Sequence, residues 1–208
     1  MKLPDPALLV ITDRRQARMP IADIVEAAAA AGCRWISVRE KDLPADEQVA
    51  LAKSLLPIAR RFGARLMLHG DAGLAEAAGL DGAHLPAGGD AAHARALLGK
   101  ERLLGISIHS VAEAARLDPA LVDYAIAGPA YETESKPGYG SQLGAEGIAA
   151  IVAAAGVPIL AIGGIGADSA RPMLKSRAVG VAVMGTVMRS NAPGEEIRRL
   201  LAALAAPV

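Results

Sequence analysis

Eight short apolar runs recur along the chain, and each is followed by a stretch with the composition of a helix. The runs are almost continuously apolar rather than alternating, which is typical of parallel strands buried on both faces. They occupy residues 7–12, 33–38, 64–68, 81–85, 102–107, 122–128, 157–163 and 178–185. Eight strand–helix units in 208 residues predict an α/β fold, a (β/α)8 TIM barrel that forms a single domain over residues 1–208.

The stretches between the runs carry helix-boundary signals. Pro20 and Pro44 open two of them, and Asp71 and Asp90 are placed to act as N-caps. The segment 110–113 fits the S-x-x-E capping-box pattern. A doubly wound open sheet is the alternative fold. It would be expected to show G-x-G-x-x-G after the first strand, and this chain has "ITDRR" there, which favours the barrel.

Composition limits the classes of partner. Lys plus Arg and Asp plus Glu both number 22, and only 2% of residues are aromatic, which argues against a nucleic-acid surface. No apolar run approaches 18 residues, so no transmembrane helix is expected. A single cysteine, Cys33, excludes an intramolecular disulfide framework and suits a reducing cytoplasm. We therefore expect a cytoplasmic protein with a small-molecule ligand, and a homo-oligomer is possible.

Polar and glycine-rich residues follow most of the predicted strands. In TIM barrels the active site lies at the carboxyl ends of the strands, so these residues are predicted to share one rim. In chain order they are Arg39 and Lys41, His69, Ser107 and His109, Thr133, Ser135 and Lys136, Gly163 and Gly164, and Gly185 and Thr186.

The glycines after the last two strands indicate an anion site. Without side chains, Gly163, Gly164 and Gly185 let backbone N–H groups approach a phosphate, and Thr186 begins the following segment. The alternative is that these glycines only make tight turns. A phosphate site here predicts a phosphorylated small substrate.

The loop after the sixth strand, "GPAYETESKPG", is long and polar. Thr133, Ser135 and Lys136 can all donate to an anion, and long loops in compact domains are often functional. The alternative is a surface loop that is merely polar.

Arg39 and Lys41 stand two residues apart after the second strand, so their side chains can share a face if the chain stays extended. They are candidate substrate ligands. The alternative is a solvated charge cluster, because Glu40 and Asp42 would neutralise both.

No histidine spacing is typical of zinc, so no metal site is predicted from the histidines. His93 falls in a helix and is expected to be exposed, whereas His84 is expected to be a core histidine with its hydrogen bonds satisfied. His69 and His109 follow strands and can face the centre of the rim. A neutral imidazole there suits general acid/base catalysis.

Four motifs, "VREKD", "GISIHS", "GPAYETESKPG" and "AIGGI", resemble in order and spacing the thiamine phosphate synthase/TenI superfamily over about residues 8–200. The resemblance implies a (β/α)8 barrel and one of two activities. Synthases join a pyrimidine pyrophosphate to a thiazole phosphate with magnesium. TenI-like proteins are metal-independent tautomerases of a thiazole carboxylate phosphate.

The resemblance also implies roles for individual residues. The positions that contact pyrophosphate in the synthases correspond here to Arg39, Lys41, Ser107 and Lys136, and the T-x-T/S part of the strand-six loop corresponds to Thr133 and Ser135. His109 matches the acid/base histidine of TenI-like proteins, although many synthases have a histidine there too.

The family's metal ligands are not all present. Synthases have Asn-Asp-Asp where this chain has His69, Gly70 and Asp71, and the second acidic ligand aligns with Gly89, one residue before Asp90. Because magnesium prefers hard oxygen ligands, these changes favour the tautomerase, which needs no cofactor.

Two other functions stay open. One is a magnesium-dependent thiamine phosphate synthase in which Asp71 and Asp90 replace the lost ligands. The other is a non-catalytic sensor of a phosphorylated ligand. In every case the expected ligand is a small molecule of the thiazole phosphate or thiamine phosphate type.

Overall fold

The computed structural model describes residues 2–133 and 142–205, and Ser135 and Lys136 lie outside this part of the chain. Eight parallel strands form a closed barrel in the order β1 to β8, which confirms the predicted (β/α)8 fold. Each predicted apolar run overlaps one strand, and β3 and β5 extend one residue beyond their runs. The strands are β1 (Leu8–Ile11), β2 (Trp35–Val38), β3 (Arg65–His69), β4 (Gly82–Leu85), β5 (Leu103–Ile108), β6 (Tyr124–Ala127), β7 (Ile159–Ile162) and β8 (Gly180–Val183).

Helices follow every strand and cover the outside of the barrel. They are α1 (Ile21–Ala30), α2 (Ala45–Arg61), α3 (Ala72–Ala77), α4 (Ala91–Leu98), α5 (Val111–Ala114), α6 (Gly144–Ala154), α7 (Ala167–Lys175), α8 (Gly185–Met188) and α9 (Pro193–Ala205). The short helix α8 and the longer α9 both come after β8. Among the described residues, no helix has the length and apolar character needed to cross a membrane.

The predicted helix starts are confirmed. Pro20 and Pro44 immediately precede α1 and α2, and the side chains of Asp71 and Asp90 accept backbone N–H groups at the starts of α3 and α4. Ser110 Oγ accepts the N–H of Glu113, as the capping-box pattern predicts. The Glu113 carboxylate accepts the backbone N–H of His109 and not that of Ser110, so it fixes the residue before the cap.

The chain buries two apolar layers. The larger lies between the strands and the helices, and it includes the free thiol of Cys33, whose burial raises its pKa to about 11. The smaller fills the barrel interior, where the rings of Trp35 and Tyr124 meet edge to face with centroids 4.6 Å apart. Gly105 makes room for this pair, because a Cβ on it would lie 2.1 Å from Tyr124 Cζ.

Candidate active site

A cavity of about 310 Å³ opens at the carboxyl ends of the strands. Its lining includes most of the residues predicted for the site, and the described ones are Arg39, His69, Ser107, His109, Thr133, Gly163, Gly164, Gly185 and Thr186. The fold brings them together because the carboxyl ends of all eight parallel strands meet at this rim. Lys41, Asp71 and Asp90 do not line the cavity, and Lys41 is exposed.

Four inward-facing polar side chains occupy neighbouring strands on one side of the barrel. Side chains of a strand alternate between its two faces, so Ser37 shares the inward face of Trp35, and His69 that of Met67. His84 and Ser107 continue the row on β4 and β5, and the rings of His69 and His84 are 4.6 Å apart. We call Ser37, His69, His84 and Ser107 the polar arc.

His84 links the floor of the barrel to the cavity. Its Nδ1 lies 3.1 Å from the Tyr124 hydroxyl and its Nε2 lies 3.0 Å from Ser107 Oγ, which confirms a core histidine with satisfied hydrogen bonds. Burial, helped by the nearby Lys41 charge, lowers the pKa of His84 to about 3, so the ring is neutral and has one N–H.

The surroundings of Tyr124 indicate which nitrogen of His84 carries that proton. The Tyr124 hydroxyl is 3.8 Å from Met67 Sδ, a weak acceptor that already receives the Trp35 N–H at 2.7 Å. Donation to His84 Nδ1 is therefore favoured, and Nε2–H then donates to Ser107. The Ser107 hydroxyl proton is left to point towards a ligand in the cavity.

Nδ1 of His109 is bonded to the backbone. Its Nδ1 lies 2.7 Å from the carbonyl oxygen of Gly128, and because a carbonyl only accepts, Nδ1 carries the proton in the neutral ring. The lone pair is then on Nε2. A ring with this tautomer at the cavity wall can accept a proton from a ligand, as its position after β5 suggested.

The opposite side of the rim is lined by backbone. Gly163 and Gly164 have φ angles of 107° and 62°, and a Cβ on Gly164 would lie 2.3 Å from the carbonyl oxygen of Glu132. The alternative role predicted for these glycines, making tight turns, therefore applies to Gly163 and Gly164. They let the segment after β6 pack closely, and they also line the cavity. We call Gly163, Gly164 and Gly185 the glycine arc.

The hydroxyl group of Thr186 does not serve as a donor to an anion in the cavity. Thr186 Oγ1 donates to the carbonyl oxygen of Ile165 at 2.9 Å, so its proton is used within the protein. A contact from Thr186 to an anion would come from its backbone N–H, at the start of α8.

The charges around β1 and β2 pair differently from the expectation. Glu40 is buried, and its carboxylate accepts from Thr12 Oγ1 at 2.6 Å and from the backbone N–H of Arg14 at 3.0 Å. Burial raises the pKa of this carboxyl. Asp42 forms an ion pair with Arg14. The carboxylate oxygen that pairs with Arg39 is Asp13 Oδ2, 3.9 Å from Arg39 Nη1. The alternative, a solvated cluster in which Glu40 and Asp42 neutralise Arg39 and Lys41, is therefore not supported for Arg39, whose carboxylate neighbour is Asp13.

Asp71 and Asp90 are the carboxylates that could replace the family's magnesium ligands. Residues 2–133 and 142–205 contain no group of three or more His, Cys, Asp or Glu arranged to hold a metal ion. Each carboxylate uses its Oδ1 to cap a helix, which leaves Oδ2 outside those hydrogen bonds. Protein-bound magnesium is commonly held by one or two carboxylates plus substrate phosphates. The described residues therefore do not form a magnesium site from protein ligands alone, and any ion held by Asp71 or Asp90 would need further ligands from a substrate.

Two charged residues that line the cavity, Arg189 and Glu132, were not predicted from the sequence. Glu132 lies in the motif after β6, where only donors to an anion were expected to act. Arg189 follows α8, and nothing in the sequence pattern indicates that its side chain returns to the rim.

The chain is similar over most of its length to proteins of thiamine biosynthesis. A family model described as thiamine monophosphate synthase matches residues 8–187. A putative thiamine-phosphate synthase of Geobacter sulfurreducens is 40% identical over 202 residues, which are 96% of this chain and 95% of that protein. A thiamine-phosphate synthase of Roseiflexus sp. strain RS-1 is 38% identical, with coverage of 94% and 84%.

A solved structure gives the same result. Thiamine phosphate pyrophosphorylase from Pyrococcus furiosus superposes with a TM-score of 0.84 at 29% identity, over 95% of this chain and 94% of that one. The barrel, the position of the cavity and these similarities agree with the resemblance seen in the motifs. The chain belongs to the thiamine phosphate synthase/TenI superfamily.

Proposed function

We propose that the protein is a thiamine-phosphate synthase, a transferase that joins a pyrimidine pyrophosphate to a thiazole phosphate and releases pyrophosphate. The names of the relatives at 36–40% identity support this reaction better than the tautomerase that the metal-ligand positions favoured. The synthase was the alternative that the family motifs left open.

One feature of the geometry carries the proposal: groups suited to anions lie on opposite sides of one cavity rim. In the closed barrel β3 faces β7 and β4 faces β8. Arg39 follows β2 and lines the cavity, whereas Lys41 lies outside its lining. Asp71 and Asp90 follow β3 and β4 and could contact an anion only through a magnesium ion, and the glycine arc follows β7 and β8. Two anionic substrates can therefore bind face to face, as a condensation requires.

In this arrangement the pyrophosphate group would lie near Arg39, and Ser107 would donate its hydroxyl proton to it. Magnesium, held by Asp71, Asp90 and the pyrophosphate, would neutralise the charge of the leaving group. The thiazole phosphate would be anchored on the glycine arc, which directs its ring to the middle of the cavity. Holding both reactants in one cavity removes most of the entropic cost of their encounter.

The test is the formation of thiamine phosphate from the two precursors with and without magnesium. We expect magnesium-dependent product with the wild-type chain. The double variant Asp71→Asn/Asp90→Asn should lose at least about tenfold in kcat/KM, because a carboxylate charge stabilises the bound ion.

Asparagine is as good an N-cap as aspartate, so this variant should keep the wild-type melting temperature and serves as its own folding control. Absence of thiamine phosphate at any magnesium concentration would contradict the proposal.

The second candidate is the thiazole tautomerase, and two observations favour it. Gly70 stands where the synthases have a metal-binding aspartate, and the imidazole of His109, whose Nδ1 is bonded to the Gly128 carbonyl oxygen, lines the cavity. If this reaction is the activity, His109→Gln should slow turnover of the thiazole carboxylate phosphate tautomer by about 10²–10⁴-fold. Unchanged turnover in that variant would remove His109 as the acid/base.

A further inference from the structure

We propose that Arg189 binds the substrate phosphate directly and that Gln16 positions its guanidinium for this contact. The inference rests on the proposed function only for the identity of the phosphate monoester. The substrates of the two candidate reactions differ, but each carries a thiazole phosphate monoester.

The guanidinium of Arg189 lies against the backbone of Gly185. A Cβ on Gly185 would be 2.3 Å from Arg189 Nη1 and 2.6 Å from its Cζ and Nη2. Both residues line the cavity. The missing side chain at Gly185 therefore makes room for a cation at the glycine arc, which is a different role from the turns made by Gly163 and Gly164.

Gln16 holds this cation from the loop after β1. Arg189 Nη1 donates to Gln16 Oε1, and Gln16 Nε2 donates to Asp13 Oδ2 at 2.6 Å. Asp13 Oδ2 is in turn 3.9 Å from Arg39 Nη1. The contact between Gln16 and Arg189 joins a neutral amide to a charged group, so it orients the guanidinium without cancelling its charge.

The chemistry of this position suits a phosphate monoester. A guanidinium can give two parallel N–H bonds to phosphate oxygens, and its charge is permanent. The glycine arc alone would offer only backbone N–H groups. With Arg189 beside it, the site discriminates a phosphorylated thiazole from its free alcohol by charge as well as by shape.

Binding to the full chain by isothermal titration calorimetry tests the inference without relying on turnover. The probes are inorganic phosphate, the thiazole phosphate and the unphosphorylated thiazole alcohol. Arg189→Met should lower the affinity for inorganic phosphate and for the thiazole phosphate by about ten- to a hundredfold, the range expected for hydrogen bonds to a charged group. Affinity for the alcohol should not change, and Arg189→Lys should fall between wild type and Arg189→Met.

The matched control is Arg15→Met, which removes an exposed arginine from the same loop as Gln16 and outside the cavity lining. It should leave all three affinities unchanged. Gln16→Met should weaken phosphate binding less than Arg189→Met does. The double variant Gln16→Met/Arg189→Met should be no weaker than Arg189→Met alone, because the amide acts through the arginine.

Three results would overturn the inference: no phosphate binding by the wild type, wild-type phosphate affinity in a folded Arg189→Met variant, or an equal loss in Arg15→Met. The proposed function fails separately. Phosphate binding that depends on Arg189, without formation of thiamine phosphate, would reject the synthase and keep the inference.

Discussion

The two sides of the barrel rim present different groups to the cavity: polar side chains on one side and mainly backbone on the other. On β2 to β5 the polar arc presents side chains, two of which, His84 and Ser107, are joined by a hydrogen bond and anchored to Tyr124. On β7 and β8 the glycine arc presents backbone, with Arg189 folded over Gly185. One side can donate and accept protons, and the other can hold an anion.

This difference predicts different responses to substitution. The glycine arc depends on close approach of backbone, so an added methyl group there displaces main chain. The polar arc depends on a buried hydrogen-bond chain, so it should respond to lost partners and to pH. Four measurements, from the largest expected effect to the smallest, test this contrast.

Gly164→Ala should cause the largest loss. A left-handed conformation costs a side chain about 1–2 kcal/mol, and the Cβ would overlap the Glu132 carbonyl, so we expect about 2–5 kcal/mol lower stability in urea unfolding. Gly63→Ala is the matched control, because Gly63 has φ of 66° and a Cβ added to it would meet nothing within 4 Å. Equal losses in the two variants would show that close backbone approach does not matter at Gly164.

Gly105→Ala should lower the stability of the polar-arc side by displacing a side chain instead of backbone. The new methyl group would force the Tyr124 ring away and disturb its contact with His84, at a cost of about 1–3 kcal/mol for overpacking. Gly105→Ala/Tyr124→Leu should recover part of this stability because the ring is gone. Failure of the second substitution to recover any stability would place the strain elsewhere.

The pH dependence of stability should report on His84. Between the folded pKa of about 3 and the ordinary value of 6.5, the unfolded chain binds a proton that the folded chain does not. Acidification through this window therefore destabilises the fold, by about 1.4 kcal/mol per pH unit in its middle. Urea unfolding from pH 7 to pH 4 should show this slope in wild type and lose it in His84→Gln.

His93→Gln is the control for that measurement, because His93 is exposed on α4. It should keep the wild-type slope. Parallel stability curves for wild type and His84→Gln would contradict a neutral buried imidazole at the centre of the polar arc.

Ser37→Ala should have the smallest effect and the opposite sign. Ser37 Oγ is buried and has no hydrogen-bond partner among the described residues, so its removal should stabilise the fold by up to about 1 kcal/mol. Ser107→Ala removes a bonded hydroxyl from the same arc and should destabilise it. If both substitutions destabilise the chain equally in urea unfolding, the Ser37 hydroxyl has a hydrogen-bond partner in the folded protein and the prediction is wrong.

The barrel and much of the cavity lining were predictable because both depend on local patterns. Buried parallel strands require continuous apolar runs, and closure of the barrel places everything that follows those runs on one rim. Arg39, Ser107, His109 and the glycine arc were found in this way. The cap roles of Asp71 and Asp90 were also local and were confirmed.

Side-chain direction was not predictable. Lys41 follows the same strand as Arg39 but is exposed outside the cavity lining, and Glu40 turns inward to Thr12. Arg189 reaches the cavity because Gly185 leaves space and Gln16 offers an acceptor, and Gln16 is 173 residues away in the chain. Contacts of this kind depend on which loops the closed barrel brings together.

The sequence by itself determined the (β/α)8 fold, the superfamily and the rim on which the site lies. Strand burial, turn glycines and family motifs each depend on a few consecutive residues, so they can be recognised in short segments. Only the tertiary structure decided the proton positions on His84 and His109 and the cation at the glycine arc. Each of these depends on a hydrogen-bond partner or a space supplied by a distant strand or loop, which no local pattern specifies.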